Sequence, residues 1–560
     1  MVKKWMKMIG REIRGLHEAA YLLAVFAFIS LVLALVRDKL LAYSFGAGNI
    51  LDLYYAAFRI PDLIFVSIGS LVSASILLPF FIDRFGKGES DGRTFFDSMF
   101  TVFFGLMVIT AGAAYFLAPY LVPIVMPGFK LAAEQHILVE TTRIMLLSPF
   151  FLGLSNLFSS LTQMRHRFLV YAASPVVYNL AIILGVLFLY PIFGIQGMAL
   201  GVGIGAFLHM LIQVPFMASE KLLPRFTAAI EWKSLKRIIL TSFPRTLTLS
   251  ANQLASFVLV SLASLMSVGS ISVFNFAFNL QSVPLSLIGA SYSSAVFPTL
   301  SRLYYEKNIP EYLEKMIAAA RHIIFWSMPI TILFTVLRAQ VVRTVLGAGN
   351  FSWSDTRLTA AMLALFTLST IGQSLIVLFV RGFYAEGKTT KPLMINVISA
   401  STIVVLGYLL DKAFFAFPVF RYFIEDLLKV GSQRGTSVLV LALAYSLGVL
   451  LNTVLHWWTF ERAYKGFTRP VLSTLFHSFA ASVIMGYASY LSLQIFAAVF
   501  PLTKVWGVFM QGFCAGIIGL IVLVITLRIL ENRELAEVWQ TLHKKIWKAS
   551  VPPPEVQNIS

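Results

Sequence analysis

Long apolar runs, separated by short polar segments, dominate the chain. Runs of 18 or more residues recur from Tyr21 to Leu530, and each is long enough to cross about 30 Å of hydrocarbon as an α-helix. No alternation of apolar and polar residues recurs in segments of about ten, which a transmembrane β-barrel would need. The pattern predicts an all-α integral membrane protein of about fourteen transmembrane helices, at 19–43, 53–82, 97–126, 137–163, 168–190, 196–218, 240–266, 270–299, 316–346, 358–384, 392–411, 436–460, 470–497 and 504–530.

Composition agrees with this class. Hydrophobic residues make up 58% of the 560 residues and charged residues only 12%, which is too few to cover the surface of a soluble protein of this length. The formal net charge is +18, but the basic residues are scattered between the apolar runs, which argues against nucleic-acid binding. They fit cytoplasmic loops instead.

The placement of these charges predicts the topology. Basic residues crowd alternate loops, as at Arg165 and Arg167, and the intervening loops are poor in charge except for a mixed-charge loop at 411–434. Both termini are then cytoplasmic, which requires an even number of spans. We therefore expect a multi-pass protein of the cytoplasmic (inner) membrane whose first helix is retained.

An internal repeat of about 220 residues predicts two lobes around a central cavity. The segment LLPFFIDRFGKGE, from Leu77, resembles VFPTLSRLYYEKN, from Val296. Two repeats of six helices would form an N-terminal lobe at 1–225 and a C-terminal lobe at 226–465, followed by two additional helices at 466–535 and a cytoplasmic tail at 536–560. Duplicated halves are typical of secondary transporters, and chance similarity between apolar segments is the alternative.

The densest group of ionisable residues lies near the N-terminus. Arg37, Asp38, Asp52 and Arg59 would each be costly inside an apolar bundle unless paired or hydrated, so each is a candidate substrate-binding residue. An arginine that faces a polar cavity suits a diphosphate, because its planar guanidinium donates paired hydrogen bonds and stays charged. Alternatively, the four residues pair with one another and lock the loop between them.

Other candidates are a flexible turn and three polar side chains. Gly46 and Gly48 interrupt the helical pattern in SFGAGN and are the predicted hinge. Arg245 follows a proline near the start of the seventh span, where it could bind substrate or anchor the helix. Gln253 lies one to two turns deeper, and Asn279 falls in the eighth span; both could line a hydrated cavity or hydrogen-bond between helices.

Motifs for catalysis, nucleotide binding or a metal site are missing from the sequence. It contains no P-loop, no HExxH helix and no GxSxG turn in a strand–turn–helix setting. Its single cysteine, Cys514, lies in an apolar run. The chain is therefore expected not to be an enzyme, and no cofactor or metal is expected.

Several segments resemble a known family of transporters. VRDKLLAYSFGAGNILDLYYAAFRIPDL resembles the first signature of the MurJ/MviN lipid II flippases, a branch of the multidrug/oligosaccharidyl-lipid/polysaccharide exporter superfamily. FPRTLTLSANQ and GSISVFNFAFNLQSVPLSLIGASYSSAVFPTLSRL resemble the seventh and eighth helices of that family, and RGFYAEGKTTKP resembles the turn before its eleventh helix. The resemblance runs in order over nearly the whole chain.

The resemblance implies a function and partners. Family members move the lipid-linked peptidoglycan precursor across the inner membrane by alternating access, with a cationic cavity for the diphosphate-sugar head and a groove near the last two helices for the lipid tail. Arg37 matches a cavity arginine, Asp38 its neighbouring aspartate, and Asp52 and Arg59 the acidic and basic positions of the signature. The implied partners of a monomer are a polyprenyl-diphosphate-linked glycan lipid, membrane lipids and cell-wall synthesis proteins.

The chain departs from the family pattern where charged motifs are expected. Uncharged residues stand at those positions, namely Leu31, Phe65, Val66, Ser70, Leu71, Phe278 and Asn279. Either other basic residues compensate, or the substrate differs. The main hypothesis is a lipid II flippase. The alternatives are a flippase for another polyprenyl-diphosphate-linked glycan, a cation-coupled drug exporter of the same superfamily, a non-transporting envelope scaffold and, more remotely, a membrane-embedded glycosyltransferase.

Overall fold

The protein is helical throughout the parts that the structure describes. This computed structural model describes residues 16–72, 74–431, 433–501 and 504–547, and no strand occurs among them, as the all-α prediction requires. Two short 3-10 segments and two π-helical segments connect or interrupt the α-helices, at Gly69–Val72, Thr436–Val438, Gly185–Leu189 and Leu285–Ala290. The α-helices in chain order are α1 (Leu16–Phe45), α2 (Asn49–Ala57), α3 (Arg59–Ser67), α4 (Ala74–Lys87), α5 (Glu89–Val125), α6 (Ala132–Met145), α7 (Leu147–Met164), α8 (Phe168–Leu184), α9 (Tyr190–Phe193), α10 (Ile195–Leu211), α11 (Val214–Ser219), α12 (Trp232–Ser264), α13 (Ser270–Pro284), α14 (Ser291–Tyr305), α15 (Ile309–Val336), α16 (Arg338–Leu346), α17 (Trp353–Thr367), α18 (Thr370–Ala385), α19 (Thr390–Ala416), α20 (Pro418–Leu428), α21 (Leu439–Ala463), α22 (Thr468–Val499), α23 (Val505–Ile529) and α24 (Arg533–Trp547).

The candidate membrane spans in the described part of the chain match most of the predicted ones. Among the described residues, 11 helical stretches are long and apolar enough to cross a membrane, and the bent pair α17–α18 would make 12. The predicted count of fourteen is therefore not confirmed. The difference lies at the N-terminal end, because the predicted spans 19–43 and 53–82 are not among these stretches. Within 19–43, α1 carries the consecutive charges Arg37, Asp38 and Lys39.

The predicted span 53–82 is interrupted rather than continuous. α2 ends at Ala57 and α3 begins at Arg59, because Pro61 has no N–H for the carbonyl of Ala57 and its ring would clash with that carbonyl. After α3 the chain passes through the 3-10 segment before α4 begins. The break places the candidate residues Asp52 and Arg59 on different helices, α2 and α3.

The helices form two compact units, each with its own apolar core. The first unit contains the described residues up to Val283 together with Val342–Phe366 and Lys388–Asn452, and the second contains Pro284–Val341, Thr367–Gly387 and the described residues from Thr453 onward. Phenylalanines dominate the core formed by α4, α5 and α7 in the first unit, namely Phe81, Phe95, Phe96, Phe100, Phe103 and Phe158. In the second unit the core includes Tyr312, Met316, Ile323, Phe379, Phe383 and Phe460. The lobe boundaries predicted from the repeat stay a prediction.

The mixed-charge loop predicted at 411–434 is partly helical. α19 continues to Ala416, and α20 occupies Pro418–Leu428. Proline suits the first turn of a helix, where its missing N–H is not needed. α20 ends at Leu428, and the next residue, Lys429, adopts a left-handed conformation with φ of 59°. The loop therefore contains a defined helix between two membrane-spanning helices.

Candidate functional site

Arg37 is held in place on both sides. It lies in the C-terminal third of α1, and its Nε and Nη2 donate to Asp38 Oδ1 at 3.0 and 2.9 Å. Its Nη1 donates to Asn179 Oδ1 on α8 at 3.1 Å. Adjacent residues on a helix leave it in different directions, but the side chains of Arg37 and Asp38 turn toward each other and form an ion pair. Because Asp38 is only 3% exposed, loss of its cationic partner would be costly.

The second carboxylate oxygen of Asp38 extends this network to another helix. Asp38 Oδ2 accepts a hydrogen bond from Asn279 Nδ2 on α13 at 2.9 Å. Asn179 in turn donates to Ser30 Oγ on α1 at 3.2 Å. Asp38 and Asn279 therefore tie α1 to α13 and fix the position of the Arg37 guanidinium.

Arg59 is the more deeply buried arginine and the less completely bonded one. It begins α3, is 7% exposed, and donates from Nη2 to Asn275 Oδ1 on α13. Its Nε has no hydrogen-bond partner within the described part of the chain. Since buried N–H groups are almost always hydrogen-bonded, this Nε, which is also closed off from solvent, leaves Arg59 incompletely satisfied where it stands.

Arg37 and Arg59 line the same cavity. The cavity has a volume of about 650 Å³ and lies within the first unit, where it is lined from α1, α2, α3, α7, α12, α13 and α21. Among its described lining residues, Asp62 is the single carboxylate. The other polar side chains are those of Asn156, Gln253, Ser256, Asn275 and Asn279. The predicted site residues Gln253 and Asn279 thus share one cavity with the two arginines.

Aromatic rings form much of the remaining wall. They belong to Tyr54, Tyr55, Phe58, Phe65, Phe274, Phe278 and Tyr445. Phe278 packs edge-on against Tyr445, with ring centroids 5.5 Å apart. Such a wall with a few polar groups is typical of sites for small ligands. Sequence analysis missed these residues, because Phe and Tyr occur in nearly every apolar helix and no pattern marks the ones that face a cavity.

Several departures from the family pattern lie in this wall. Phe65, Val66, Phe278 and Asn279 all line the cavity. The cavity therefore has apolar or neutral groups at positions where charged motifs were expected. Asn279 partly compensates for this loss by bonding Asp38, which leaves that carboxylate satisfied without a further cation.

Asp52 lies outside the lining of the cavity and joins α2 to the start of α13. Its Oδ2 accepts from the Gly269 N–H at 2.6 Å, and its Oδ1 accepts from the Ser272 N–H at 2.8 Å and from Ser272 Oγ at 2.6 Å. A carboxylate at a helix N-terminus satisfies otherwise unpaired N–H groups and favours the helix dipole. Direct substrate contact by Asp52 or by Asp38 stays a prediction.

The predicted hinge forms a tight turn against a second glycine turn of the first unit. Gly46 has a φ of +62°, and a Cβ there would lie 2.6 Å from the carbonyl oxygen of Asn350. The Asn350 N–H donates to the Tyr43 carbonyl at 2.9 Å, and its Nδ2 donates to the Ser44 carbonyl at 2.7 Å. Gly48 has an ordinary φ of −136°. The conformation therefore requires glycine at 46 but not at 48, and hinge motion stays a prediction.

Arg245 lies in α12, but its side chain is outside the described parts, as is that of the neighbouring Asn252. The substrate contact predicted for Arg245 therefore stays a prediction. The side chain of Lys39, unlike that of Arg245, lies within the described parts. Its Nζ donates to the Thr344 carbonyl at 3.0 Å, so it bonds to the backbone instead of extending freely to the membrane surface.

Apolar helices of membrane-spanning length, together with a cavity that holds two arginines, are typical of a multi-pass membrane transporter. The fold resembles the solved structure titled "Lipid II flippase MurJ, inward closed conformation", with a TM-score of 0.72 and 20% identity over 91% of this chain and 100% of that chain. It also resembles an inward-facing multidrug resistance MATE family transporter of the MOP superfamily, with a TM-score of 0.61 and 13% identity over 81% of this chain and 98% of that chain. At these identities the likeness concerns the fold alone.

The sequence narrows this class to one family. The profile of the family described as "Lipid II flippase MurJ" matches residues 41–510. The Lipid II flippase MurJ of Burkholderia cenocepacia is 25% identical over 68% of this chain and 76% of its own length. The Probable lipid II flippase MurJ of Rickettsia prowazekii is 25% identical over 85% of this chain and 92% of its own length. This chain belongs to the MurJ family, and it is a multi-pass protein of the inner membrane.

Proposed function

We propose that this chain translocates lipid II across the cytoplasmic membrane by alternating access, the activity for which its relatives are named. The observation that carries the proposal is the presence of Arg37 and Arg59 in one cavity of about 650 Å³. That volume lies within the range of about 300–1,000 Å³ found for ligand pockets. The cavity binds the diphosphate and the adjoining sugar, and the lipid tail stays in the apolar part of the membrane.

The two arginines contribute unequally to diphosphate binding. Arg37 already donates three hydrogen bonds to Asp38 and Asn179, so it acts mainly through its charge. Arg59 donates one hydrogen bond among the described residues, to Asn275, and its guanidinium turns toward a phosphate oxygen when the head group binds. Each hydrogen bond to a charged group is worth about 1.5–3 kcal/mol, so Arg59 supplies the larger share of the affinity.

Alternating access requires one side of the cavity to be closed while the other is open. The bonds of Asp52 to the start of α13 and the contact between the Gly46 and Asn350 turns hold the same end of the first unit together. By the charge distribution, both termini are cytoplasmic and this end faces outward. Opening it requires the two lobes of the repeat to rock, with Gly46 and Gly48 in the flexing turn.

Several further properties belong to the proposal. The chain moves its substrate without chemical conversion, and it works as a monomer. Membrane lipids surround it, and cell-wall synthesis proteins that use lipid II are its expected partners. The cavity lining draws on residues before 225 and after 226, which supports a site between the two predicted lobes.

Complementation of a flippase-depleted bacterium tests the proposal. We expect the wild-type chain and Arg302→Ala, a change at a side chain that is 66% exposed, to restore growth. Arg59→Ala should fail to do so at equal membrane abundance. Failure of the wild-type chain despite normal insertion would contradict lipid II translocation.

A second candidate is a flippase for another polyprenyl-diphosphate-linked glycan. Phe65, Val66, Phe278 and Asn279 in the cavity wall favour it, because fewer charges and more rings suit a less acidic head group. Purified protein in vesicles should then translocate such a lipid faster than lipid II, and Arg59→Ala should slow both. A clear preference for lipid II would exclude this candidate.

A further inference from the structure

The short helix α20 presents an apolar face that the protein does not cover. Val419, Tyr422, Phe423 and Leu427 are 82%, 61%, 60% and 59% exposed. Their spacing places them on one side of the helix. Asp426, in the last turn, is the only charged residue on that side among the 11 residues of α20. Exposed apolar faces of this kind mark a surface that meets lipid or another molecule.

The opposite side of α20 is firmly attached to the first unit. Ile424, Glu425 and Leu428 are buried. Glu425 Oε1 accepts hydrogen bonds from Thr436 Oγ1 at 2.6 Å and from Arg421 Nε at 3.0 Å. The bond to Thr436 and the burial of Ile424 and Leu428 fix the rotation of α20 about its axis. The apolar side therefore faces outward.

The connections of α20 place it at the boundary of the membrane. It begins two residues after the end of α19 and is followed, after a short segment, by the 3-10 segment that opens α21; α19 and α21 belong to stretches of membrane-spanning length. Near the end of α19, Lys412 Nζ lies 5.2 Å from the centre of the Tyr408 ring, a pairing that suits the water–lipid interface.

We propose that α20 is an interfacial helix whose outward side, formed by Val419, Tyr422, Phe423 and Leu427, lies in the lipid at the bilayer surface. Amphipathic helices bury such sides at the boundary between head groups and acyl chains, and aromatic residues are favoured at that depth. The helix thereby holds the connected ends of α19 and α21 at a fixed depth. A protein partner is the competing occupant, but the covalent attachment of both ends to spanning helices favours lipid. This proposal is independent of the substrate.

Fluorescence quenching tests this proposal on the full-length protein in lipid nanodiscs. In a Cys514→Ala background, an environment-sensitive dye is attached to Val419→Cys or Phe423→Cys. Lipids carrying a spin label near the head group should remove most of the fluorescence, and aqueous iodide should remove little. Two controls set the limits. Phe116 lies on α5 and is 74% exposed, so Phe116→Cys should respond to the lipid quenchers. Lys465 lies in an exposed turn, so Lys465→Cys should respond to iodide.

The outcomes distinguish lipid from a protein partner as the occupant of the apolar side of α20. Because the nanodisc contains no partner protein for this chain, a face reserved for such a partner would be in water. Strong quenching by iodide with little quenching by the labelled lipids at both 419 and 423 would overturn the proposal. If either cysteine variant fails to fold, the other still decides, since the two positions lie one helical turn apart on the same side.

Discussion

At the scale of single residues, the two arginines of the cavity differ in what surrounds them. Arg37 is paired with Asp38 and Asn179, whereas Arg59 keeps one buried N–H without a partner among the described residues. Both arginines could be predicted as site residues from the sequence, because a charge in an apolar segment is costly unless it is paired or hydrated. The aromatic wall could not be predicted, because in these helices apolar residues face lipid, core and cavity alike.

The cation content of the cavity can be raised by one substitution. Val66 lines the cavity close to Arg59 in the sequence, so Val66→Arg adds a third guanidinium. One additional charge-assisted hydrogen bond is worth about 1.5–3 kcal/mol, so we expect lipid-linked diphosphates to bind about 10–100-fold more tightly. Binding to purified protein in nanodiscs measures this change. Val66→Met, which adds bulk without charge, should leave the affinity nearly unchanged, and equal effects of the two substitutions would contradict the argument.

At the scale of elements, local sequence rules explain some helix boundaries but do not predict others. Pro61 explains the break between α2 and α3, and the rule behind it is visible in the sequence. The helix α20 was missed because its charges, at Arg421, Glu425 and Asp426, gave the segment the appearance of a solvated loop. Only the tertiary contact of Glu425 with Thr436 identifies which of these charges is buried.

The turn between α1 and α2 offers a matched pair of glycine substitutions. Gly46→Ala forces a left-handed backbone on alanine, which costs about 1–2 kcal/mol, and the new Cβ must also displace the Asn350 carbonyl. Gly48→Ala meets only an ordinary contact at 3.4 Å and should be close to neutral. Thermal unfolding of the two purified variants should therefore show a lower melting temperature for Gly46→Ala alone. Equal melting temperatures would refute the requirement for glycine at 46.

The C-terminal helix α24 is attached to the second unit through a buried carboxylate. Glu534 Oε1 accepts from Arg321 Nε and from Thr474 Oγ1, each at 2.6 Å. Burial alone would raise the pKa of Glu534, but hydrogen bonds from Thr474 and Arg321 outweigh it, and the pKa lies below its ordinary value of about 4.5. A lowered pKa in the folded state means that the ionised carboxylate stabilises the docked helix.

That stabilisation has a defined pH dependence. It is fully present above about pH 4.5 and is lost as the pH falls through the lower, folded-state pKa. Hydrogen exchange of the amides in the first turns of α24, compared at neutral and acid pH, should show protection lost only at acid pH. Glu534→Gln should lose protection at both, whereas Glu531→Gln, an exposed change, should behave as wild type. Protection independent of pH would contradict this account.

At the scale of the whole molecule, apolar periodicity predicted an all-helical membrane protein and the ordered motifs predicted its family. The predicted count of fourteen spans is not confirmed among the described residues, where the predicted span 53–82 is broken at Pro61. The cavity requires residues more than 400 positions apart, from Arg37 to Tyr445, to come together. No local pattern in the sequence encodes that proximity. Some residues of the site could therefore be predicted, but the cavity that they share could not.

The central claim is that this cavity recognises a diphosphate through its arginines, and lipid binding tests it most directly. Purified protein in nanodiscs is titrated with lipid II and with a polyprenyl glycan that lacks the diphosphate. The account predicts that the wild type prefers lipid II, and that Arg59→Ala lowers lipid II affinity about 10–100-fold while Arg302→Ala leaves it unchanged. Equal binding of both lipids by the wild type, or an unaltered affinity in Arg59→Ala, would contradict it.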